Sequence, residues 1–122
     1  MVSSLRPEDV MAIIEKKAKE VEDERVYFTL RKMKLKYIKP ATIEVIKRII
    51  ALDELGLPVT ARFMSSLLKK PEQDMLEQLH ILGDKHVLVL KRKTGRYYEW
   101  ILSDIFKQHY YKVTQLCMEK QK

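Results

Sequence analysis

The stretch ATIEVIKRIIALDELGLPVTARFMSSLLKKPEQDMLEQLHILGDKHVLVLKRKTGRYYEWILS, running from Ala41 to Ser103, decides the fold. Ile43, Ile46, Ile49 and Ile50 recur at helical spacing over Ala41 to Leu55, and Gly56 stands where a left-handed residue closes a helix. Leu57-Pro58-Val59 has room only for a scrap of edge strand before Thr60, which is suited to capping the next helix. That helix, Ala61 to Leu68, buries Phe63, Met64, Leu67 and Leu68. Lys69-Lys70-Pro71 makes a turn, and Pro71 opens a third helix at its first position. Met75, Leu76, Leu79 and Leu82 bury this helix, and Gly83 is expected to stop it. His86 to Leu90 and Arg96 to Leu102 are rich in Val, Leu, Tyr and Trp, and the Lys93-Thr94-Gly95 break between them carries hairpin turn chemistry. The order is helix, short apolar turn, helix, helix, hairpin.

Working outward, Pro7 suits a first helical turn, and Glu8 and Asp9 favour the positive end of the helix dipole. Val10, Ile13, Ile14, Ala18 and Val21 form a narrow apolar stripe on a helix that is otherwise charged. Such a stripe suits either a dimer-forming arm or a helix laid across its own domain. Val26 to Lys39 fits two periods: Met33, Leu35 and Tyr37 alternate as in a strand, while Leu30, Met33 and Tyr37 fit a helix. Continued helix is the expectation. The segment holds Arg31, Lys32, Lys34, Lys36 and Lys39 with no acid, the densest positive run in the chain, and Pro40 ends it. Beyond the hairpin, Ser103 caps a last helix with Ile105, Phe106, His109, Tyr110, Val113, Leu116 and Cys117 on one side. That face is expected to pack on the N-terminal helix, on a second subunit, or on both.

The chain of 122 residues is 46% hydrophobic, enough for one modest core, so one domain over 1–122 is expected: a helical extension at 7–39, a centre at 41–103 and a last helix at 104–120. A net charge of +7 favours polyanionic partners. The single Cys117 excludes an intrachain disulfide or a thiolate cluster, and the absence of a signal-peptide pattern or a long apolar run points to a soluble cytoplasmic protein without a membrane partner. The lack of Asn beside abundant Lys and Glu leans toward a thermophilic source. His80, Asp84 and His86 match no recurring metal-ligand spacing. No glycine-rich phosphate loop or activated nucleophile can be read, so neither enzymatic activity nor a metal or cofactor is expected. Tyr97, Tyr98, Trp100, Tyr110 and Tyr111 could stack on single-stranded bases, but alternation between core and surface explains them as well.

The string Pro58-Val-Thr-Ala-Arg-Phe-Met-Ser-Ser-Leu-Leu, a third helix ending in Leu82-Gly83, and Gly95-Arg-Tyr-Tyr-Glu-Trp-Ile-Leu-Ser together resemble the winged-helix superfamily. The layout is similar to small archaeal and bacterial regulators of the MarR and ArsR groups. The resemblance implies a mainly α fold with a small β-hairpin wing, a winged helix-turn-helix with extra N- and C-terminal helices. It implies that the third helix enters the major groove of double-stranded DNA, that the wing touches phosphates or the minor groove, and that flanking helices join a homodimer. The candidate DNA contacts are then Arg62, Ser65, Ser66, Lys69 and Lys70 at the edge of the motif, Gln73 and Gln78 on the third helix, and Lys91, Arg92, Lys93 and Arg96 around the turn. Candidate dimer contacts are Val10, Ile13, Ile14, Phe106, Tyr110, Val113, Leu116 and Cys117. One departure is marked: Glu72, Asp74, Glu77 and Asp84 make the third helix acidic, and it has no Lys or Arg. Carboxylates are repelled by phosphate and have few base partners beyond the cytosine amino group. Weak sequence preference follows for a DNA-binding protein. The same acids leave open a protein-interaction module that docks on a basic partner.

Overall fold

The computed structural model describes residues 6–120, with side chains through Lys112. Six helices and one hairpin follow in order: α1 (Pro7–Glu20), α2 (Asp23–Lys32), α3 (Pro40–Glu54), α4 (Ala61–Leu68), α5 (Glu72–Asp84), β1 (Leu88–Thr94), β2 (Tyr97–Leu102) and α6 (Asp104–Lys120). The expected class holds: mainly helical, with a small antiparallel hairpin wing after a helix-turn-helix, and extra helices at both ends.

The isoleucines of α3 form the centre of the core, with Ile43, Ile46, Ile49 and Ile50 buried. Around them α1 and α2 pack from one side and α4 and β2 from the other, while α6 packs on α2. Local chemistry fixes the joints. The Thr60 hydroxyl accepts the Phe63 N–H at 3.1 Å and starts α4. Ser103 does the same for α6, accepting the Phe106 N–H at 3.1 Å, and its own hydroxyl donates to the His86 carbonyl at 2.6 Å, which ties the hairpin's base to the last helix. Gly56 (φ +72°) closes α3 with the Leu57 N–H reaching back to the Leu52 carbonyl at 2.9 Å.

Of the two expectations for the α1 stripe, a helix laid across its own domain is the one found, with α1 on α3, and α6 packs on α2. Ile14, Phe106 and Tyr110 are buried inside this one chain, against α3 and α2, so they are core residues and unavailable as a dimer surface. Their apolar stripes find partners within the chain, and this burial is worth about 1.5–3 kcal/mol for each fully buried large side chain. Val10 is half-buried and Ile13 remains exposed, while the side chains of Val113, Leu116 and Cys117 lie outside the described residues. Ion pairs fasten the same layer: Arg48 on α3 grips Glu15 of α1 through two nitrogens at 2.8 and 3.2 Å, Lys47 meets Asp23 of α2 at 2.9 Å, and Lys107 of α6 meets Asp53 at 3.5 Å. Burial works against the Arg48 cation, but its hydrogen bonds to Glu15 and Glu44 outweigh it and raise its pKa.

Continued helix through Lys39 is also corrected. α2 stops at Lys32 in a left-handed turn: Lys34 (φ +64°) donates to the Arg31 carbonyl at 2.9 Å, and the Leu35 N–H reaches the Leu30 carbonyl at 3.0 Å. Residues 33–39 then run irregularly into α3. Met33, Leu35 and Ile38 lean on the core while Lys34, Lys36, Tyr37 and Lys39 face out, so the alternation holds from Met33 to Lys36 and fails at Tyr37, and the segment has no strand partner among the described residues.

Gly83 is not a helix stop either. It lies within α5, and the reversal falls at His86 (φ +65°), whose N–H bonds the Gly83 carbonyl while the Val87 N–H bonds that of Leu82. Glycine is needed at 83 because Trp100 lies on it: a Cβ there would stand 2.6 Å from Trp100 Cζ3. The hairpin turn is shifted as well. Thr94 pairs with Tyr97, leaving Gly95 and Arg96 as the turn, and Gly95 takes the positive φ (+59°) that a primed hairpin turn requires at its first position. The scrap of edge strand is present as a single bridge, with Val59 exchanging hydrogen bonds with Trp100 at 2.8 and 3.1 Å.

Candidate nucleic-acid interface

α5 divides its surface into three strips. On the hairpin side, the His80 ring meets Tyr98 and Trp100 edge-on at centroid distances of 5.2 and 5.3 Å. His80 is thus committed to holding the hairpin on α5. Along the crest, Gln73, Glu77, Ile81 and Asp84 are exposed. On the third side, Asp74 and Gln78, with Glu77 at the edge of the crest, border a hollow shared with Glu44 and Arg48 of α3, and Lys70 lines it too. The acids read from sequence are therefore solvent-facing and divided: Asp74 and Glu77 meet at this hollow, while Glu72 lies on the hairpin side.

The hairpin carries its charge outward. Lys91, Arg92, Lys93 and Arg96 are all exposed, and none has a carboxylate partner among the described residues. The strands slip in register between Leu90 and Arg92, so Lys91 is the unpaired residue of a bulge, a device that bends a strand and re-aims its side chains. Lys93 Nζ lies 5.3 Å from the Tyr98 ring centroid. Tyr97, also on the outer side, donates to Glu99 at 2.8 Å; this hydrogen bond to the carboxylate raises its pKa.

The motif-edge residues separate. Arg62 joins the hairpin, lining a hollow of about 430 Å³ with Arg96, Thr94 and Tyr97 and with Glu72 of α5. Ser66 and Lys69 open on the opposite side, in a hollow shared with Glu8 and Glu15 of α1. Lys69 takes a left-handed φ (+55°) at the end of α4. Ser65 is half-buried, with its hydroxyl donating to the Lys70 carbonyl. Arg62 thus stands with Arg96 at the hairpin turn, whereas Ser66 and Lys69 open toward α1 and Lys70 toward the α3–α5 hollow.

A third group, legible in the sequence only as charge, lies beside the helix. Lys36, Tyr37 and Lys39 border a cavity of about 180 Å³ whose other wall is Gln78, Ile81 and Lys85 of the α5 end. Residues 35–39 of the acid-free run therefore lie next to α5. The run's lysines and arginine, with Lys85, also lack carboxylate partners among the described residues. The signal present in the sequence was the length of the acid-free stretch, from Arg25 to Ile43.

No helix among the described residues is long and apolar enough to cross a membrane. In comparison with known proteins, the chain matches no family model and no curated protein.

Proposed function

We propose that this chain is a winged-helix protein that binds double-stranded DNA, with the basic hairpin on the sugar-phosphate backbone and α5 over the groove. One observation supports it above the others: Arg62, Lys91, Arg92, Lys93 and Arg96 are exposed cations that form no ion pair among the described residues, with Glu72 and Glu99 as the carboxylates nearest to them in the fold, while the ion pairs found among the described residues lie on α1, α2, α3 and α6. Exposed unpaired cations release counterions on meeting phosphate, and that is the main source of non-specific affinity. The crest of α5 offers Gln73, Glu77 and Asp84 and no cation, so base readout is weak and the role is that of a transcription regulator or a chromatin-associated factor. A homodimer belongs to this reading. Ile13 on α1 and Ile105 and Tyr111 on α6 are exposed apolar side chains on the flanking helices, and a two-fold pair would present two hairpins to successive turns of the duplex.

The test is affinity for a random-sequence duplex at several salt concentrations, with mass in solution measured alongside. Replacing Lys91, Arg92, Lys93 and Arg96 by Gln is expected to weaken binding to every sequence alike and to flatten the salt dependence by about 0.9 for each phosphate that no longer meets a cation. Unchanged affinity in that variant refutes the role of the hairpin. The exposed acids of α5 favour one second reading, a surface for a basic protein partner; Asp74→Gln with Glu77→Gln tightens DNA binding under the first reading and abolishes partner capture under the second.

A further inference from the structure

We propose that the loop between α2 and α3 is a second phosphate-contacting strip, placing Lys34, Lys36 and Lys39, with Lys85, on the DNA backbone along the side of α5 away from the hairpin. The inference rests on the DNA-binding reading above and adds to it a partner surface on residues outside the motif.

The loop is held in shape before any partner arrives. Leu35 and Ile38 are anchored on the core, and the Leu35 N–H bonds the Leu30 carbonyl at 3.0 Å, so the intervening side chains are turned outward as a set. Lys36, Tyr37 and Lys39 share a cavity wall with Gln78, Ile81 and Lys85, which fixes the strip beside the second half of α5. The hairpin holds the other side through His80, Tyr98 and Trp100. An α-helix with its side chains is about 10–12 Å across, and the major groove is about 12 Å wide with a phosphate strand on each edge. A helix seated there needs cations on both flanks to engage both strands, and α5, acidic along its crest, has them on both.

Two backbone features point the same way. Lys34 (φ +64°) and Tyr37 (φ +59°) occupy the left-handed region, where a bulky residue is disfavoured and glycine or asparagine is usual. Tyr37 is also 98% exposed, a large ring held in water with no packing to gain. Its hydroxyl is of the type that donates to phosphate oxygens. Strained residues whose side chains contribute nothing to the core are the ones a binding surface retains.

The test compares three proteins on the same duplex across a salt series: the natural chain, the hairpin variant above, and Lys34→Gly with Lys36→Gln and Lys39→Gln. The loop variant is expected to lose about 2–3 units of salt slope, and about tenfold in affinity for each phosphate left unneutralised near 0.1 M salt. Lys34→Gly alone serves as the folding control: it relieves the left-handed strain and is expected to raise Tm by a few degrees while lowering affinity, so weaker binding cannot be blamed on unfolding. Tyr37→Phe is expected to lose about fivefold in affinity, the worth of one hydrogen bond, with the slope unchanged. If the natural chain binds and the hairpin variant loses slope while the loop variant does not, the loop inference fails alone. If the natural chain does not bind DNA even at low salt, both readings fail.

Discussion

Gly83→Ala sets two opposed effects against each other at one atom. Gly83 lies inside α5, where alanine in place of glycine ordinarily stabilises a helix by about 1 kcal/mol. Here the new Cβ would stand 2.6 Å from Trp100 Cζ3 and 3.0 Å from Cη2. Carbon atoms in good contact are about 3.6 Å apart, so the ring has to retreat by about 1 Å. It is hemmed in: the Trp100 backbone is tied to Val59 in both directions, and its ring meets His80 at 5.3 Å and Tyr98 at 6.4 Å. Overpacking of this kind costs about 1–3 kcal/mol. The net effect is about 1 kcal/mol of destabilisation, a fall of about 3–5 °C in Tm at this chain length. Trp100→Phe removes the atoms that the new methyl would strike. In that background Gly83→Ala is expected to stabilise by about 1 kcal/mol, a reversal of sign that corresponds to a coupling of about 2 kcal/mol. Urea unfolding followed by far-ultraviolet circular dichroism measures all four proteins, because Trp100 is the chain's single tryptophan and its fluorescence is lost in two of them. Gly83→Ala that stabilises the natural chain, or that shifts both backgrounds equally, refutes the close-approach argument.

Two further predictions concern the helical layer behind the site. Arg48→Lys keeps the charge but loses the two-pronged grip on Glu15, and with Arg48 largely buried this is expected to cost about 1–2 kcal/mol in urea unfolding; no change would show that the α1–α3 clamp is dispensable. Burial pushes the Tyr110 phenol up to about 12, even with the Arg25 guanidinium 3.6 Å above its ring pulling the other way. The unfolded chain ionises this phenol near its ordinary value of about 10 while the folded chain does not, so stability present below that pH is lost as pH rises toward 12. Tyr110→Phe is expected to lose less stability than the natural chain between about pH 9 and pH 11, and equal losses would place the alkaline sensitivity elsewhere.

Much of the fold was legible because the deciding signals are local. The isoleucine period of α3, the Thr60 and Ser103 caps and the Gly56 closure each act within a few residues, and each is in place. Gly83 misled for the same reason: a glycine near a helix end reads as a stop, whereas its real constraint is a ring contributed by β2. Ile14, Phe106 and Tyr110 show the limit of an apolar stripe, which announces a partner without saying whether that partner is the same chain. Alternation over Met33 to Lys36 matches the inward and outward side chains but breaks at Tyr37, which faces out while Ile38 turns in, because a residue with positive φ shifts the phase in a way that periodicity does not reveal. At the candidate interface the charges were readable one by one. Their partition was not, because whether Lys69 faces the hairpin or α1 depends on how α4 turns on the core.

The left-handed residues connect stability to the proposed surface. Helix ends at Lys34, Lys69 and His86 reverse through positive φ, a position that glycine fills without steric cost and that Gly56 does fill at the end of α3. Each non-glycine residue there costs about 1 kcal/mol or more. Gly56 closes the helix at the centre of the core, whereas Lys34 and Lys69 put an exposed cation on the surface around the helix-turn-helix, and His86 offers its carbonyl to the Ser103 hydroxyl at the base of the hairpin. Under the DNA-binding reading, Lys34 trades local stability for charge carried on a short, fixed turn, whereas Lys69 opens beside Glu8 and Glu15 of α1, off the proposed surface. A glycine scan distinguishes the cases. Lys34→Gly is expected to gain stability and lose DNA affinity, and His86→Gly to gain stability with affinity unchanged, since His86 acts through its backbone. If Lys34→Gly and His86→Gly behave alike in both measurements, the link between strain and surface charge is wrong.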